Sequence, residues 1–231
     1  MTMMYRAILL SNIFLFFSIF AFAQDVSSLV QKVRIKIEQV SSYEADGTMK
    51  TNVSFLKVPQ AKVKIYFKKP DKLKIKNENG ISLVPKTILG TGLSSLLKGN
   101  FTALDAGSDL INNSKVKVVK LIPVDDNAEI VLSTIYIDET HLVILKAKIT
   151  TKENGTYEIE MNYGKYIAYA LPDKITCTFN IKDYKLPKGV TLDYDDGSKK
   201  RSDDKLKDAR GKVEIIYDSY SVNKVIPDSV F

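Results

Sequence analysis

Few residues in this sequence are suited to catalysis. A catalytic site brings an acid, a base or a nucleophile within reach of one another. The chain has one histidine, His141, in a turn, and one cysteine, Cys177, among alternating apolar residues. The first is typical of an exposed turn and the second of a small core side chain. No G-x-S-x-G elbow or glycine-rich phosphate loop occurs. The sequence therefore favours a non-enzymatic binding protein and predicts no cofactor.

No metal site is predicted either. Asp193, Asp195 and Asp196 lie in the charged stretch 193–211 and resemble the oxygen ligands of a calcium loop. The glutamate that such a loop needs further along is missing, and no Cys/His cluster suits zinc. We interpret 193–211 as a solvated loop.

One lysine, Lys69, shares a strand face with apolar residues. In an extended strand, residues of equal parity point to the same side. Five apolar residues have the parity of Lys69: Val63, Ile65, Phe67, Leu73 and Ile75. A buried cation needs a partner, so Lys69 either donates to backbone carbonyls or, beside Pro70, reaches water at a bent strand end. The sequence leaves both interpretations open.

The elements that carry these residues are one helix and many strands. Residues 25–40 place apolar residues at helical spacing and predict an amphipathic helix. Eight later segments alternate with a period of two and predict strands: 61–68, 72–76, 114–124, 129–137, 142–150, 156–163, 174–181 and 211–220. The connections are short, which requires antiparallel neighbours. We expect a mainly β (α+β) protein with one highly curved antiparallel sheet of about ten strands.

The segment 86–114 breaks the alternation. Leucines and isoleucine stand among Gly90, Gly92 and Gly99, and we interpret the segment as a loop with one or two short helices. It is either an ordinary packed connection or a movable lid over a sheet face.

The start of the chain predicts export. Arg6 precedes an apolar run, and Ala21-Phe22-Ala23 fits a signal-peptidase site. We expect a signal peptide over 1–23 and one domain over 24–231, the alternative being an uncleaved membrane anchor.

Cys177 stands alone, so no intrachain disulfide is possible. The net charge of +7 is spread along strands, which argues against nucleic-acid binding. These lysines either only solubilise the strands or also meet anionic lipid headgroups.

Three short motifs resemble those of the LolA-like lipoprotein-sorting family. They are "VSSYEAD" (40–46), "VKIYFKKPDKLKI" (63–75), and a late "LPKGVTLDY" (186–194), for which "VNKVIPDSVF" (222–231) is an alternative equivalent. The second resembles a family strand that ends in Lys-Arg-Pro and an aromatic residue. Together the motifs span most of the chain after residue 23.

The resemblance implies an incomplete β-barrel of about eleven strands, with an N-terminal helix and a short helical lid across an apolar cavity. The residues expected to line the cavity are Val63, Ile65, Phe67, Leu73, Ile75, Leu89, Leu93, Leu96 and Leu97. Lys69 stands where the family has an arginine that hydrogen-bonds to the lid, so it is the expected lid latch. A lysine makes point contacts and lacks the arginine fork.

The resemblance also implies a function. The expected protein is a monomeric periplasmic carrier that shuttles lipoproteins or phospholipid from the inner to the outer membrane. It would receive cargo from an inner-membrane ABC transporter and deliver it to an outer-membrane acceptor. The alternative is an extracytoplasmic lipid-binding sensor or interaction module of the same fold, also non-enzymatic. Such modules normally carry a second domain, for which this chain shows no linker.

Overall fold

The computed structural model of the chain describes residues 26–53, 56–57, 60–70, 72–77, 96–97, 99–153, 155–180 and 210–231. The predicted signal peptide (1–23), residues 86–95 and 98 of the predicted lid segment, and the predicted loop 193–211 up to residue 209 lie outside this range. Within it, no helix is both long and apolar enough to cross a membrane.

One helix, α1, occupies residues 26–38. Its apolar stripe is the one that the helical spacing predicts: Val26, Leu29, Val30 and Val33 are buried, and Ile37 is partly buried against the same core. Because these side chains lie on one face of the helix, α1 can pack flat against a sheet while its charged face stays in water.

Eleven strands follow α1 in the described residues. They are β1 (Ser42–Val53), β2 (Leu56–Lys57), β3 (Ala61–Lys68), β4 (Lys72–Asn77), β5 (Phe101–Ile111), β6 (Ser114–Pro123), β7 (Ile130–Asp138), β8 (Val143–Thr151), β9 (Thr156–Asn162), β10 (Lys174–Asn180) and β11 (Arg210–Val222). Short 3-10 helices occupy Ile167–Tyr169 and Asp228–Val230.

All eleven strands belong to one antiparallel sheet in the order β4-β3-β1-β11-β10-β9-β8-β7-β6-β5, with β2 paired to β1. The described parts of β4 and β5 form the two ends of this order and do not pair with each other, so the sheet stays open. The first and last long strands, β1 and β11, pair with each other as the third and fourth strands of this order. The predicted mainly β fold with a single open antiparallel sheet is confirmed.

Three strands were not predicted from the sequence: β1, the two-residue β2, and β5. β5 runs through the end of segment 86–114, which we interpreted as loop and short helix. The β5–β6 register shifts between Asp105 and Ser108, and Gly107 has a φ of 90°. This bulge reverses the parity along the strand, so no single alternation covers it.

β1 was also not predicted as a strand. Its inward positions Ala45, Gly47 and Met49 keep one parity, but two of them are small residues, so the apolar alternation is weak. The register shift between Asp46 and Gly47 places the extra residue, Asp218, in β11. At Gly47 the neighbouring strand comes very close, since a Cβ there would lie 2.5 Å from the carbonyl oxygen of Ile216.

Candidate functional site

The inward face of the sheet and the apolar stripe of α1 form one core. In β3 the residues of odd number, Val63, Ile65 and Phe67, are buried, and the residues between them, Lys64 and Tyr66, are partly exposed. Across the β3–β4 pairing, Leu73 lies opposite Phe67 and Ile75 lies opposite Ile65. Both pack against the core while staying partly exposed. The structure therefore brings the five predicted residues of β3 and β4 together on the face that α1 covers.

The predicted leucines of the lid fall into two groups. Leu96 and Leu97 are buried in the same core cluster as α1 and the inward strand residues. Leu89 and Leu93 lie outside the described residues. The half of the leucine set that the structure describes thus covers the inward face, as a lid would.

Lys69 contacts α1. Its Nζ donates a hydrogen bond to the carbonyl oxygen of Glu38, the last residue of the helix, and its backbone N–H donates to the Ser41 carbonyl at 2.9 Å. The carbonyls at a helix C-terminus carry partial negative charge and have no partner within the helix, so a cation is favoured there. The lysine that shares the parity of the apolar residues therefore reaches a backbone carbonyl of a covering helix.

Two further groups hold the C-terminal end of α1, and neither was predicted from the sequence. The Asn223 side chain donates to the Gln39 carbonyl (3.1 Å) and accepts from the Ser41 N–H (2.7 Å). On the opposite side, Lys36 Nζ donates to the His141 carbonyl at 2.5 Å. Burial lowers the pKa of Lys36, and nearby Asp138 opposes this shift. The helix end is thus tied to β3, β11 and the β7–β8 turn.

A small recess lies beside this helix end. Its volume is about 70 Å³, room for two or three waters at the roughly 30 Å³ each occupies in the liquid. Its lining is mostly apolar and aromatic: Ile37, Val40, Tyr43, Phe67, Lys69, Tyr169, Ala170, Leu171, Pro172, Ile175, Tyr217 and Tyr220. The Tyr43 and Phe67 rings stack at 5.2 Å. With α1 in this position, the recess is too small for an acyl chain.

A larger cavity, the β5–β9 cavity, lies at the other half of the sheet. Its volume is about 340 Å³, at the lower end of the roughly 300–1,000 Å³ typical of ligand sites. It is lined by Leu96, Gly99, Asn100, Phe101, Leu121, Pro123, Asp125, Ala128, Glu129, Ile130, Ser133, Thr151 and Tyr157. Of the nine predicted cavity residues, Leu96 lines it, and the β3–β4 residues do not.

The cross-strand register explains why these side chains meet. Leu121 of β6 lies opposite Ser133 of β7, which lies opposite Ile149 of β8. Phe101 of β5 lies opposite Pro123. These positions belong to the inward face, and Leu96 adds an apolar surface from the connection between β4 and β5. A mostly apolar cavity with few polar groups results.

The polar groups of the cavity differ in exposure. Ser133 is 1% exposed, and its Oγ has no hydrogen-bond partner among the described residues. Burial raises the pKa of Tyr157 far above its usual range, so the phenol stays protonated. Asp125 and Glu129 are exposed and form the rim. The cavity thus combines an apolar interior, a buried hydroxyl and an acidic rim.

The residues singled out for chemistry have structural roles. Cys177 is buried in the core, as predicted, and burial raises the pKa of its thiol to about 12. A protonated, buried thiol is a poor nucleophile. His141 Nδ1 lies 2.7 Å from Asp138 Oδ2, and Asp138 also accepts from the backbone N–H groups of Thr140 and His141. Among the described residues, no group of three or more His, Cys, Asp or Glu is arranged to hold a metal ion.

No protein-family model matches the sequence, and no curated protein matches it. Among the solved structures that are similar over most of their length, three illustrate the match. An outer membrane lipoprotein-sorting protein domain from Vibrio parahaemolyticus has a TM-score of 0.57 at 10% identity, covering 90% of this chain and 96% of that one. A DUF1329 family protein from Desulfovibrio piger has a TM-score of 0.54 at 9% identity, covering 89% and 96%.

The third is a LolA superfamily protein from Nitrosomonas europaea. It has a TM-score of 0.54 at 10% identity, covering 87% of this chain and 96% of that one. Identities this low establish the fold alone. The resemblance predicted from the sequence motifs is therefore confirmed at the level of architecture: the chain has the LolA-like fold.

Proposed function

We propose that this protein is a non-enzymatic, extracytoplasmic carrier that binds the acyl chains of lipoproteins or lipids. The observation that carries the proposal is the β5–β9 cavity of about 340 Å³ on the inward face of a LolA-like sheet. The similarity to a lipoprotein-sorting domain supports the cargo class. The predicted signal peptide over 1–23 supports a periplasmic location, with transfer from an inner-membrane ABC transporter to an outer-membrane acceptor.

Apolar burial supplies the affinity. Each methylene removed from water contributes about 0.8 kcal/mol, so six methylenes in the cavity would contribute about 5 kcal/mol before ordering costs. That is enough for capture of part of a chain, while leaving the cargo releasable to an acceptor that buries more of it.

The two halves of the inward face have different roles in this proposal. The β5–β9 cavity takes the chain first, and Leu96 contacts it there. Val63 and Ile65 are buried in the same core cluster as α1, and Phe67 is buried beside Ile37 at the small recess, so in this proposal cargo reaches them only when the helix end moves. Lys69 is then a latch on that movement, because its bond to Glu38 has to break.

Blocking the cavity tests the proposal. Leu121 is 2% exposed and faces the cavity, whereas its neighbour Ile122 is 41% exposed and points to the opposite face. Leu121→Trp adds a ring to the cavity and should weaken binding of a fluorescent fatty-acyl probe at least tenfold, since it removes room for about two methylenes. The matched control Ile122→Trp should leave the affinity within twofold.

Thermal unfolding of both variants shows whether they remain folded. If a folded Leu121→Trp binds the probe as tightly as the wild type does, the chain does not occupy the β5–β9 cavity. If the wild type itself fails to bind the probe, the carrier proposal is wrong.

A further inference from the structure

One of the residues that line the β5–β9 cavity has a hydroxyl without a hydrogen-bond partner in the described part of the chain. Ser133 Oγ is buried and has no partner among the described residues, and its side chain lines the cavity. A buried polar group without a partner destabilises a protein by about 1–3 kcal/mol. Such groups are rare in folded proteins and call for a physical reason. A ligand atom that accepts a hydrogen bond would supply one.

The rim constrains the charge of that ligand. Asp125 and Glu129 line the cavity at its exposed edge, and no lysine or arginine is among the described lining residues. The Glu129 carboxylate is close enough to Tyr157 to help raise the pKa of this lining phenol. An ionised ligand carboxylate beside these side chains would be repelled. A neutral group is not repelled, and its oxygen can still accept from Ser133.

We infer that the β5–β9 cavity takes acyl chains that are joined through a neutral carbonyl, an ester or amide, and discriminates against free fatty-acid carboxylates. Ser133 Oγ–H donates to the carbonyl oxygen. The chain lies against the apolar lining at Leu96, Phe101, Leu121 and Ile130, and the alcohol or amine side of the linkage lies toward Asp125 and Glu129. This inference rests on the proposed acyl-binding function and specifies which ligands that site accepts.

Two ligand sources share this chemistry. A glycerolipid presents ester carbonyls, and a lipoprotein presents ester and amide carbonyls on its lipidated cysteine. The probes are therefore palmitate, monopalmitoylglycerol and a diacylglyceryl-cysteine peptide, each used below its aggregation threshold at neutral pH. The wild type should bind at least one of the two neutral probes about fivefold or more tighter than palmitate. The tighter of the two identifies the source.

The variant Ser133→Ala tests whether the Ser133 hydroxyl contacts the ligand or only contributes to the stability of the fold. It should weaken the preferred neutral probe about fivefold, because one hydrogen bond is lost, and leave palmitate binding within twofold. It should also leave the melting temperature of the empty protein unchanged or raise it, since an unpartnered polar group is removed. Thr134→Ala, on the outward face of the same strand, is the matched control and should change neither affinity.

The variant Asp125→Asn/Glu129→Gln tests the rim. It should raise palmitate affinity about threefold or more and leave the neutral probes unaffected, since removing the two charges relieves a screened repulsion.

Two results overturn the inference. Equal wild-type affinity for palmitate and both neutral probes, with no effect of Ser133→Ala, would mean that Ser133 binds a buried water and the proposed function stands without this selectivity. Failure of all three probes to bind would overturn the proposed function as well.

Discussion

Lys69 is the residue whose chemistry most directly links fold and function. Its charged Nζ lies at the carbonyl end of α1, and it follows a strand whose inward residues are buried beneath that helix. A lysine makes one directed contact here, and the carbonyls of the last helical turn have no other intrahelical partner. The parity argument identified the residue and the resemblance implied a bond to the lid, whereas the bond that the structure shows is to the Glu38 carbonyl of α1.

The first prediction concerns this contact. A hydrogen bond from a charged donor contributes about 1.5 kcal/mol at the lower end of its range, which suits an exposed site, and this is roughly tenfold in an open–closed equilibrium. Lys69→Leu should therefore favour the open state, hold cargo more tightly and slow its transfer to acceptor membranes. Lys69→Arg should keep the wild-type transfer rate, because guanidinium can donate to the same carbonyl. Equal transfer rates and affinities in all three proteins would mean that Lys69 is only a rim lysine.

The second prediction concerns Asp138. Burial alone would raise the pKa of this carboxyl, but hydrogen bonds from His141 and Thr140 outweigh burial, so the pKa is lowered from 3.8. A lowered pKa in the folded state means that the carboxylate stabilises the fold above its unfolded pKa. This contribution is complete above about pH 5 and is lost as the pH falls below about 4.

Urea unfolding across this range measures the effect. Asp138→Asn should lower the stability at neutral pH and flatten the acid limb of the stability curve, since the titrating group is gone. An unchanged acid limb in Asp138→Asn would show that other carboxylates account for it.

At the scale of elements, α1 is the part of the fold that would have to move in the proposed mechanism for the inward face to open. Its apolar stripe buries Val30 and Val33 completely, and its C-terminal end is tied by Lys69, Asn223 and Lys36. α1 is thus attached by apolar packing along its length and by three polar contacts at its C-terminal end. Polar contacts at an exposed end can break individually, so we expect opening to begin there.

The third prediction tests that attachment. Asn223 has a φ of 58°, a conformation that glycine also adopts without strain. Asn223→Gly therefore removes the side-chain bonds to Gln39 and Ser41 while keeping the backbone geometry. Hydrogen exchange should become faster for the amide groups of the last turn of α1 and remain unchanged in β7 and β8. Uniformly faster exchange would indicate global destabilisation, and unchanged exchange would show that Asn223 does not hold the helix.

The elements also show what the sequence could and could not predict. The strands with uninterrupted alternation, such as β3 and β9, were predicted because each has one buried and one solvent-facing side. β1 was not, because two of its inward positions are the small residues Ala45 and Gly47, which leave the apolar alternation weak. β5 was not, because a bulge between Asp105 and Ser108 reverses the parity partway along. A bulge depends on how two strands pair, and a single strand's pattern does not contain that information.

The same limit applies to the cavity. The alternation of β3 correctly placed Val63, Ile65 and Phe67 on the inward face. Every inward residue of the sheet shows the same alternation, however, so the pattern does not distinguish cavity residues from core residues. Which of them contact α1 and which border free volume depends on where the helix lies across the sheet. The larger volume is at β5–β9, beside Ser133, a residue for which the alternation gave no functional signal. The ligand contacts of the β3 and β4 residues remain predictions.

At the scale of the whole molecule, the open sheet and its partial cover explain why this chain suits a binding role. A barrel whose interior is filled by side chains would leave no room for a ligand. An uncovered sheet would expose a large apolar face to water. Here α1 and Leu97 cover much of the inward face, and a cavity of about 340 Å³ remains next to them. Such an arrangement can hold an apolar ligand and enlarge by moving one element, without unfolding the sheet.

Native mass spectrometry tests the acyl-binding claim most directly. The protein purified under native conditions, or incubated with monopalmitoylglycerol, should show a population heavier by one lipid that disappears on denaturation. Leu121→Trp should show a much smaller lipid-bound fraction, and Ile122→Trp should match the wild type. A wild-type protein that carries no lipid after purification and takes up none on incubation, while remaining folded, would contradict the account.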